Sequence, residues 1–530
     1  MARADNDLDG ARCVVIGAGM GGLCAAIALA ARGAKVRVLE RAPQPGGRAQ
    51  RIALGGYSFD IGEPYILMPQ FLGQVFSAAG LRLNDFLDLQ PLATPTRVVM
   101  PVAAEGEEPA RVDLHREQEA LEAEFARFSE IDAGRVAPFL RRAAKLQRAS
   151  ELKHHLLPGG RLSASPRRGA DTMLWRGRGL DPRSYEAMLR RAFRHETVRR
   201  AMGALTHRLG LSPHQTSAVA MVRGALAPRK GAWVPVGGMG AIVPALLRVA
   251  GELGVQIACG REVERIELEG GRVRAVIGIG PDGKPMKALR ADVVVSTLDP
   301  VATMKRMMPQ TRNVQRELSH RQRARLGRSG FLWMVGVREV PALFEHPETI
   351  FLPENEAETA RQMDQWRVPA HRPPLFVWNG SAATPGLAPE SGGALQFFLP
   401  MPAHDASRWR WDDAAADRTR EELLERLEGL GLEGFEDLIE EERMVTPGEF
   451  ATDPWRTGGV LFGRRSCGFG LGEGRLAGNG ASRVPGLFFA GAWAPPGPIL
   501  PLIAAGAMRA ADGAADDFRT TRAVRQAMAR

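Results

Sequence analysis

Residues 14–22 read Val14-Val15-Ile16-Gly17-Ala18-Gly19-Met20-Gly21-Gly22, and this stretch decides the fold. Three β-branched residues make a buried strand that runs into a glycine turn. The Ala- and Leu-rich stretch Met20 to Arg32 predicts a helix behind it, closed by Gly33. Gly17, Gly19 and Gly22 satisfy G-x-G-x-x-G. The first glycine of that pattern lets the chain turn, the second lets backbone approach a pyrophosphate, and the third lets helix and strand pack closely. The helix N-terminus adds unpaired N–H groups and the positive end of a dipole. Lys35 to Glu40 predicts a second strand, with Glu40 placed at its end to accept hydrogen bonds from a ribose hydroxyl. Strand, helix and acidic residue in register outweigh the bland reading, an Ala/Gly-rich helix packed on a sheet.

Gly46-Gly47-Arg48 follows directly, and it separates a flavin nucleotide from a nicotinamide one. A nicotinamide-binding unit has no reason to place a glycine pair and a cation there. Here the glycines let a loop cross close to the cofactor, and Arg48 meets its phosphates or fixes the loop. Arg41, beside Glu40, belongs to the same group. A Pro-Gly-Gly turn with a solvated arginine is the plain alternative.

Outward from this unit, 530 residues are too many for one simple core, so two or three structural units are expected. An apolar content of 45% with 25% charged residues excludes a disordered or collagenous chain. Cys13, Cys24, Cys259 and Cys467 lie far apart with no C-x-x-C pairing, which argues against a zinc site or a disulfide framework and for a reducing compartment. His154-His155, His207 and His214 have no metal-ligand spacing, and no metal is expected. Residues 13–31, uncharged between Arg12 and Arg32, imitate a signal peptide or a membrane span. The crowded glycines and the strand ending in Glu40 oppose that, so a cytoplasmic location is expected, peripheral on the inner face of the membrane if it touches one.

The net charge of +10 is unevenly spread. Residues 139–208 hold 17 Lys and Arg against 5 Asp and Glu, so the rest of the chain is close to neutral. Such a concentration suits an anionic partner, and solvated Arg-rich helix faces are its bland counterpart. From about Phe71 to Lys230 the pattern reads as mostly helical, with breaks at Pro158-Gly159-Gly160 and Arg176 to Asp181. A hairpin is expected over Gln50–Leu54 and Tyr57–Ile61, and a helix over Gly240–Glu252. Strands are expected at Val255–Ala258, Glu262–Leu268, Val273–Ile279, Asp292–Ser296, Phe331–Val337, Leu395–Leu399 and Leu487–Gly491. A charged helix is expected over Ala414–Leu430, a surface segment over Glu356–Arg372, and a last helix over Ile503–Phe518.

Taken together, these stretches resemble the phytoene desaturase (carotenoid desaturase) branch of the FAD-dependent amine oxidase superfamily. The matches run from end to end: Val14 to Gly22, Glu40 with Gly46-Gly47-Arg48, Phe59-Asp60-Ile61-Gly62, and Trp233-Val234-Pro235 with Gly237-Gly238-Met239-Gly240. They continue through Val263, Thr446-Pro447, and Gly491-Ala492 by way of Pro496-Gly497 to Pro501. The resemblance implies FAD as cofactor, a Val263 backbone contact to the adenine, and Gly491, Ala492 and Leu500 as neighbours of the flavin ring. A helix starting near Leu500 to Ile503 would stabilise negative charge on reduced flavin. It further implies hydride transfer from an allylic carbon of an apolar polyene to flavin N5. Tyr185, Met188, Leu189 and Phe193 alternate with Arg190, Arg191 and Arg194, and that helix is expected to lie on an anionic bilayer or to be plainly solvated. Two departures touch the flavin side. Gly62-Glu63-Pro64 stands where desaturases carry Gly-Pro-Thr, and Ala494-Pro495-Pro496-Gly497 where they carry Thr-His-Pro-Gly. Glu63 could serve as a general acid or base if burial raised its pKa; an exposed loop glutamate is the alternative.

The fold expected is α/β, with a discontinuous Rossmann-type FAD-binding domain, a mixed-sheet substrate domain and a helical, membrane-associating insertion. Residues 1–70, 231–300 and 476–530 are assigned to the first, 71–120 and 301–475 to the second, and 121–230 to the basic insertion. The activity expected is desaturation of a carotenoid or related polyene, with quinone, oxygen or NADP as electron partner and no nucleic acid. Three alternatives stand beside it. One is an FAD/NADPH-dependent reductase or reductive cyclase of a natural-product polyene, and one is an amine oxidase, which Trp493 alone and only three tyrosines weaken. The third is a non-catalytic prenyl- or lipid-binding protein of the GDP-dissociation-inhibitor type.

Overall fold

The computed structural model describes residues 6–101, 108–155, 184–209, 211–216, 231–404, 408–465, 482–494 and 497–528. Arg12–Ile16 is the centre of a parallel sheet. Among the described residues its order is Gln256–Ala258, Lys35–Leu39, Arg12–Ile16, Val293–Ser296 and Leu487–Phe489. Strands from the beginning, middle and end of the chain therefore share one sheet. Val293, Val294 and Val295 are buried, as a strand covered on both faces requires.

The helix Met20–Ala30 is buried from Met20 to Leu29. It packs on the sheet between helix Ile242–Glu252 and helix Leu500–Met528, and its many alanines allow that close approach. Leu23, Ile27 and Leu29 are completely enclosed, each contributing about 1.5–3 kcal/mol. Helix Gln70–Ala78 joins the same core through Leu72, Val75 and Phe76. The last helix extends well past the expected Phe518.

A second, seven-stranded mixed sheet among the described residues has the order Ile439–Val445, Ser329–Val337, Gly393–Met401, Leu375–Asn379, Glu348–Phe351, Thr96–Val99, Arg111–Leu114. Only the Glu348–Phe351 and Thr96–Val99 pair is parallel within it. This corrects the mostly helical reading of 71–230, because Leu89–Leu92, Thr96–Val99 and Arg111–Leu114 are strands. Pro91 and Pro95 forbid a helix there, and the charges that blur the alternation, Arg97 and Asp113, pair across the ladder at 2.8 Å. Glu356–Arg372 lies at the surface as expected; within it Glu356–Arg361 is helical and runs into a wider turn, Gln362–Trp366, with Thr359 and Met363 turned inward and buried.

Helices Val136–His155, Tyr185–Ala192 and Glu196–Gly203 make up the described part of the basic stretch. The expected breaks at 158–160 and 176–181 lie outside the described residues. The bilayer reading of Tyr185–Ala192 is overturned. Tyr185, Met188, Leu189 and Phe193 are buried, with Phe193 against Phe125 and Phe139 and the Tyr185 hydroxyl donating to the Met202 carbonyl at 3.0 Å. The apolar face is used up inside the protein, and Arg190 pairs with Glu186 one turn away. No helix among the described residues is long and apolar enough to cross a membrane.

Candidate flavin site and substrate cavity

The glycine turn opens into a cavity of about 560 Å³. Gly17, Gly19, Glu40, Arg41, Gly47, Arg48, Glu63, Val263, Gly491, Ala492 and Leu500 all line it. Of the expected site residues only Gly22 does not, because it acts on the protein instead. A Cβ there would sit 1.9 Å from the Gly17 carbonyl oxygen. Gly17 takes φ +96°, and a Cβ on it would meet Thr297 Oγ1 at 2.3 Å. Gly19 differs: nothing of the protein lies closer to its Cβ position than Gly47 Cα at 3.8 Å. Gly19 therefore has room for a Cβ, in ordinary contact with Gly47, on the wall of the cavity.

Glu40 has two tasks. Its oxygens accept from Ala18 N at 2.6 Å and Ala42 N at 2.8 Å, which holds the glycine turn against the following loop. A carboxylate has further lone pairs, so capacity for a ribose hydroxyl remains. Gly46 donates to the Ala18 carbonyl at 2.9 Å, bringing the Gly46-Gly47-Arg48 loop beside the fingerprint. Arg48 lines the cavity with part of its side chain open to that space, and donates to the Leu461 carbonyl. Burial, with Arg456 nearby, pulls its guanidinium down to about 10. Burial likewise lowers Arg456, with Arg41 adding to the effect against the pull of Asp453. Guanidiniums crowded in this way fit a diphosphate between them.

Val263 is buried at a bulge in the strand Glu262–Glu269, paired with Gly278. Gly491, at φ +85°, follows the last strand of the parallel sheet, and the last helix begins at Leu500 with Pro498, Ile499 and Leu500 on the cavity wall. Pro501 and Ile503 of its first turn line the cavity too; Pro501 has no N–H, and the Ile503 N–H donates to the Ile499 carbonyl at 2.9 Å. Pro495 and Pro496 lie outside the described residues.

Beyond these polar groups the wall turns apolar, with Leu332, Trp378, Phe398, Phe450, Leu461 and Phe462. Glu63 is held at this boundary. Gln396, buried, donates to the Asp60 carbonyl at 2.9 Å and accepts from Gly62 N at 3.4 Å, while Arg51 clamps Asp60 at 2.7 Å. Glu63 is not the solvated loop residue of the alternative reading: burial pushes its carboxyl up, Arg208 pulls it down, and Glu348 pushes it up. Sequence reasoning missed Asp453, Trp455, Arg456 and Arg208 on the wall. The Asp-Pro-Trp-Arg run 453–456 is turn-like and aromatic and was open to notice. Arg208, inside a basic stretch, gave no signal.

A parallel sheet assembled from both chain ends, a glycine cradle and an apolar cavity define a flavin-dependent oxidoreductase. Residues 20–511 match the model of the flavin containing amine oxidoreductase family. The chain belongs to that family, and within it to the phytoene desaturase-like branch. It is 32% identical over 508 residues to a zeta-carotene-forming phytoene desaturase of Myxococcus xanthus, covering 93% of this chain and 92% of that one. It is 28% identical over 518 residues to a hydroxyneurosporene desaturase of Rubrivivax gelatinosus, covering 94% and 92%. Among solved structures, an oxidoreductase from Methanosarcina mazei superposes with a TM-score of 0.61 over 94% of this chain and 99% of that one, at 18% identity.

Proposed function

We propose that this protein is an FAD-dependent desaturase of a carotenoid or related apolar polyene. One observation carries the reading: the phosphate cradle and the wall of Leu332, Trp378, Phe398, Phe450 and Phe462 belong to a single continuous cavity. The relatives' named substrates support it. In this reading Gly19, Gly47 and Arg48 take the diphosphate, Glu40 the ribose, Val263 the adenine end, and Gly491, Ala492 and Leu500 flank the ring. Bound flavin supplies a two-electron acceptor for a hydride from an allylic C–H. The apolar wall excludes water and holds the chain of the substrate beside that acceptor. Glu63 takes the proton lost from the adjacent carbon, so the two departing hydrogens leave a new C=C bond. A carboxyl with a raised pKa is the stronger base once ionised. The two electrons would then be passed to a quinone, oxygen or NADP. The balance against a reductase turns on direction, and the two relatives described above are desaturases.

The test is anaerobic mixing of the yellow protein with carotenes of different chain length. Flavin bleaching together with a red-shifted carotene spectrum is the expected result. Bleaching by NADPH alone, with the carotene spectrum moving to shorter wavelength, would replace this reading with the reductase.

A further inference from the structure

Behind Glu63 lies a second carboxylate whose surroundings are fully protein. Glu348, at the start of strand Glu348–Phe351, is completely buried. It accepts from Arg208 Nε at 2.8 Å and Trp378 Nε1 at 3.1 Å on one oxygen, and from Thr96 Oγ1 at 2.8 Å and Tyr65 OH at 2.9 Å on the other. The Arg208 Nη2 group closes a fork on the second oxygen. Arg208 is 4% exposed, lies over the Tyr65 ring at 4.7 Å, and has its Nη1 buried without a hydrogen-bond partner. Glu63, Tyr65, Arg208 and Trp378 share the cavity wall.

The charge count is short by one. One guanidinium faces two carboxyl groups, and Glu348 has engaged it through two N–H groups. Asp60, also on the wall, is closed by Arg51. The Tyr65 phenol is tied to Glu348 and Thr96. The remaining charged wall residues, among them Glu40, Arg41, Arg48, Glu262, Asp453 and Arg456, belong to the cofactor half. Among the described residues the half-buried Glu63 carboxyl has no ion pair or hydrogen bond of its own.

The geometry points to Glu348 as a positioning residue that sets the charge state of Glu63, by holding Arg208 in a fork and denying Glu63 that cation. It rests on the reading of Glu63 as proton acceptor and deepens it. Both neighbours act on Glu63 through space, in opposite senses. Removing the Glu348 charge leaves Arg208 uncompensated beside Glu63, which then ionises more easily. Removing Arg208 leaves two carboxylates, and Glu63 ionises less easily. A purely structural role for the ion pair predicts no such opposition.

The experiment is infrared titration of the flavin-loaded protein without substrate, following the protonated-carboxyl stretch that Glu63→Gln removes. Glu348→Gln is expected to lower its midpoint by about one pH unit, and Arg208→Met to raise it by a similar amount. Either variant alone carries the test if the other fails to fold. Arg208→Met leaves Glu348 with three donors, from Tyr65, Thr96 and Trp378. An unmoved midpoint, or a shift opposite in sign to the one stated, overturns the assignment. Glu63→Gln turning over carotene at the wild-type rate overturns instead the proton-acceptor reading, and the midpoint shifts still judge the electrostatic link.

Discussion

Gly21, in the first turn of the N-terminal helix, lies against Gly491, in the turn after the last strand: a Cβ built on Gly21 would come within 2.5 Å of the Gly491 Cα. Thr297, directly after the strand Val293–Ser296, stands on another side of Gly491, 3.5 Å from its Cβ position. The fingerprint, the strand Val293–Ser296 and the C-terminal strand are thus locked backbone to backbone. The glycine turn and the cavity wall at Gly491 are two sides of this one junction, so on the proposed reading cofactor binding depends on chain ends meeting.

Gly21→Ala is expected to force that junction apart. Overpacking against backbone costs about 1–3 kcal/mol, which lowers the melting temperature by several degrees. Thermal melts of flavin-free protein are the measurement. A variant as stable as wild type would mean that the two segments move freely.

Gly19 and Gly22 separate binding from folding. Gly19 has extended backbone, φ −73° and ψ 178°, and a Cβ position in no more than ordinary contact with Gly47 at 3.8 Å, so Gly19→Val should fold with a loss of about 1 kcal/mol or less. Its flavin content should fall at least tenfold, since the side chain would fill the cradle. Gly22→Ala should instead lose stability, because its Cβ meets the Gly17 carbonyl. Absorbance per mole of protein and melting curves, taken together, distinguish the two. Full yellow colour in Gly19→Val would remove the cradle from the phosphate site.

How much of this was legible in advance depended on whether a feature was local. Gly17, Gly19, Glu40 and Gly46-Gly47-Arg48 lie within a short stretch, and backbone geometry forces their pattern. The helix Tyr185–Ala192 shows the opposite case. Its apolar residues were plain, but whether they met lipid or Phe125 and Phe139 was set by distant chain. The strands Thr96–Val99 and Arg111–Leu114 were hidden because Arg97 and Asp113 neutralise each other only once paired. Glu63 was visible as a departure, whereas Arg208 and Glu348, which decide its chemistry, come together only through the seven-stranded sheet.

Arg48 and Arg456 supply a test of the diphosphate site without any flavin. Arg48 is pulled down to about 10 by burial and by the nearby Arg456 charge, and Arg456 is itself lowered by burial and by Arg41. Inorganic pyrophosphate should therefore stabilise flavin-free protein, by about 2.7 kcal/mol at a hundredfold excess over its dissociation constant. Arg48→Met should lose most of that shift while melting no lower than wild type without the ligand. An equal pyrophosphate shift in both proteins would place the anion elsewhere.

Asp113 gives the pH dependence of stability a definite sign. Burial pushes its carboxyl up, but hydrogen bonds from His346 and Arg97 and the Arg97 charge outweigh that and hold it well below the usual carboxylate range. A group that ionises more easily folded than unfolded contributes stability above its unfolded pKa of about 3.9, and loses it as pH falls through the folded value. Asp113→Asn should therefore melt below wild type near neutral pH, by about 1–2 kcal/mol once solvent screening of this partly exposed cluster is allowed for. The deficit should shrink as the medium is acidified below about pH 4, where Asp113 of the unfolded chain takes up its proton while the folded protein still holds the charge. Paired melts across that range decide the matter: a deficit that stays constant with pH would mean that the Arg97–Asp113–His346 cluster stabilises the edge of the sheet by shape and not by charge.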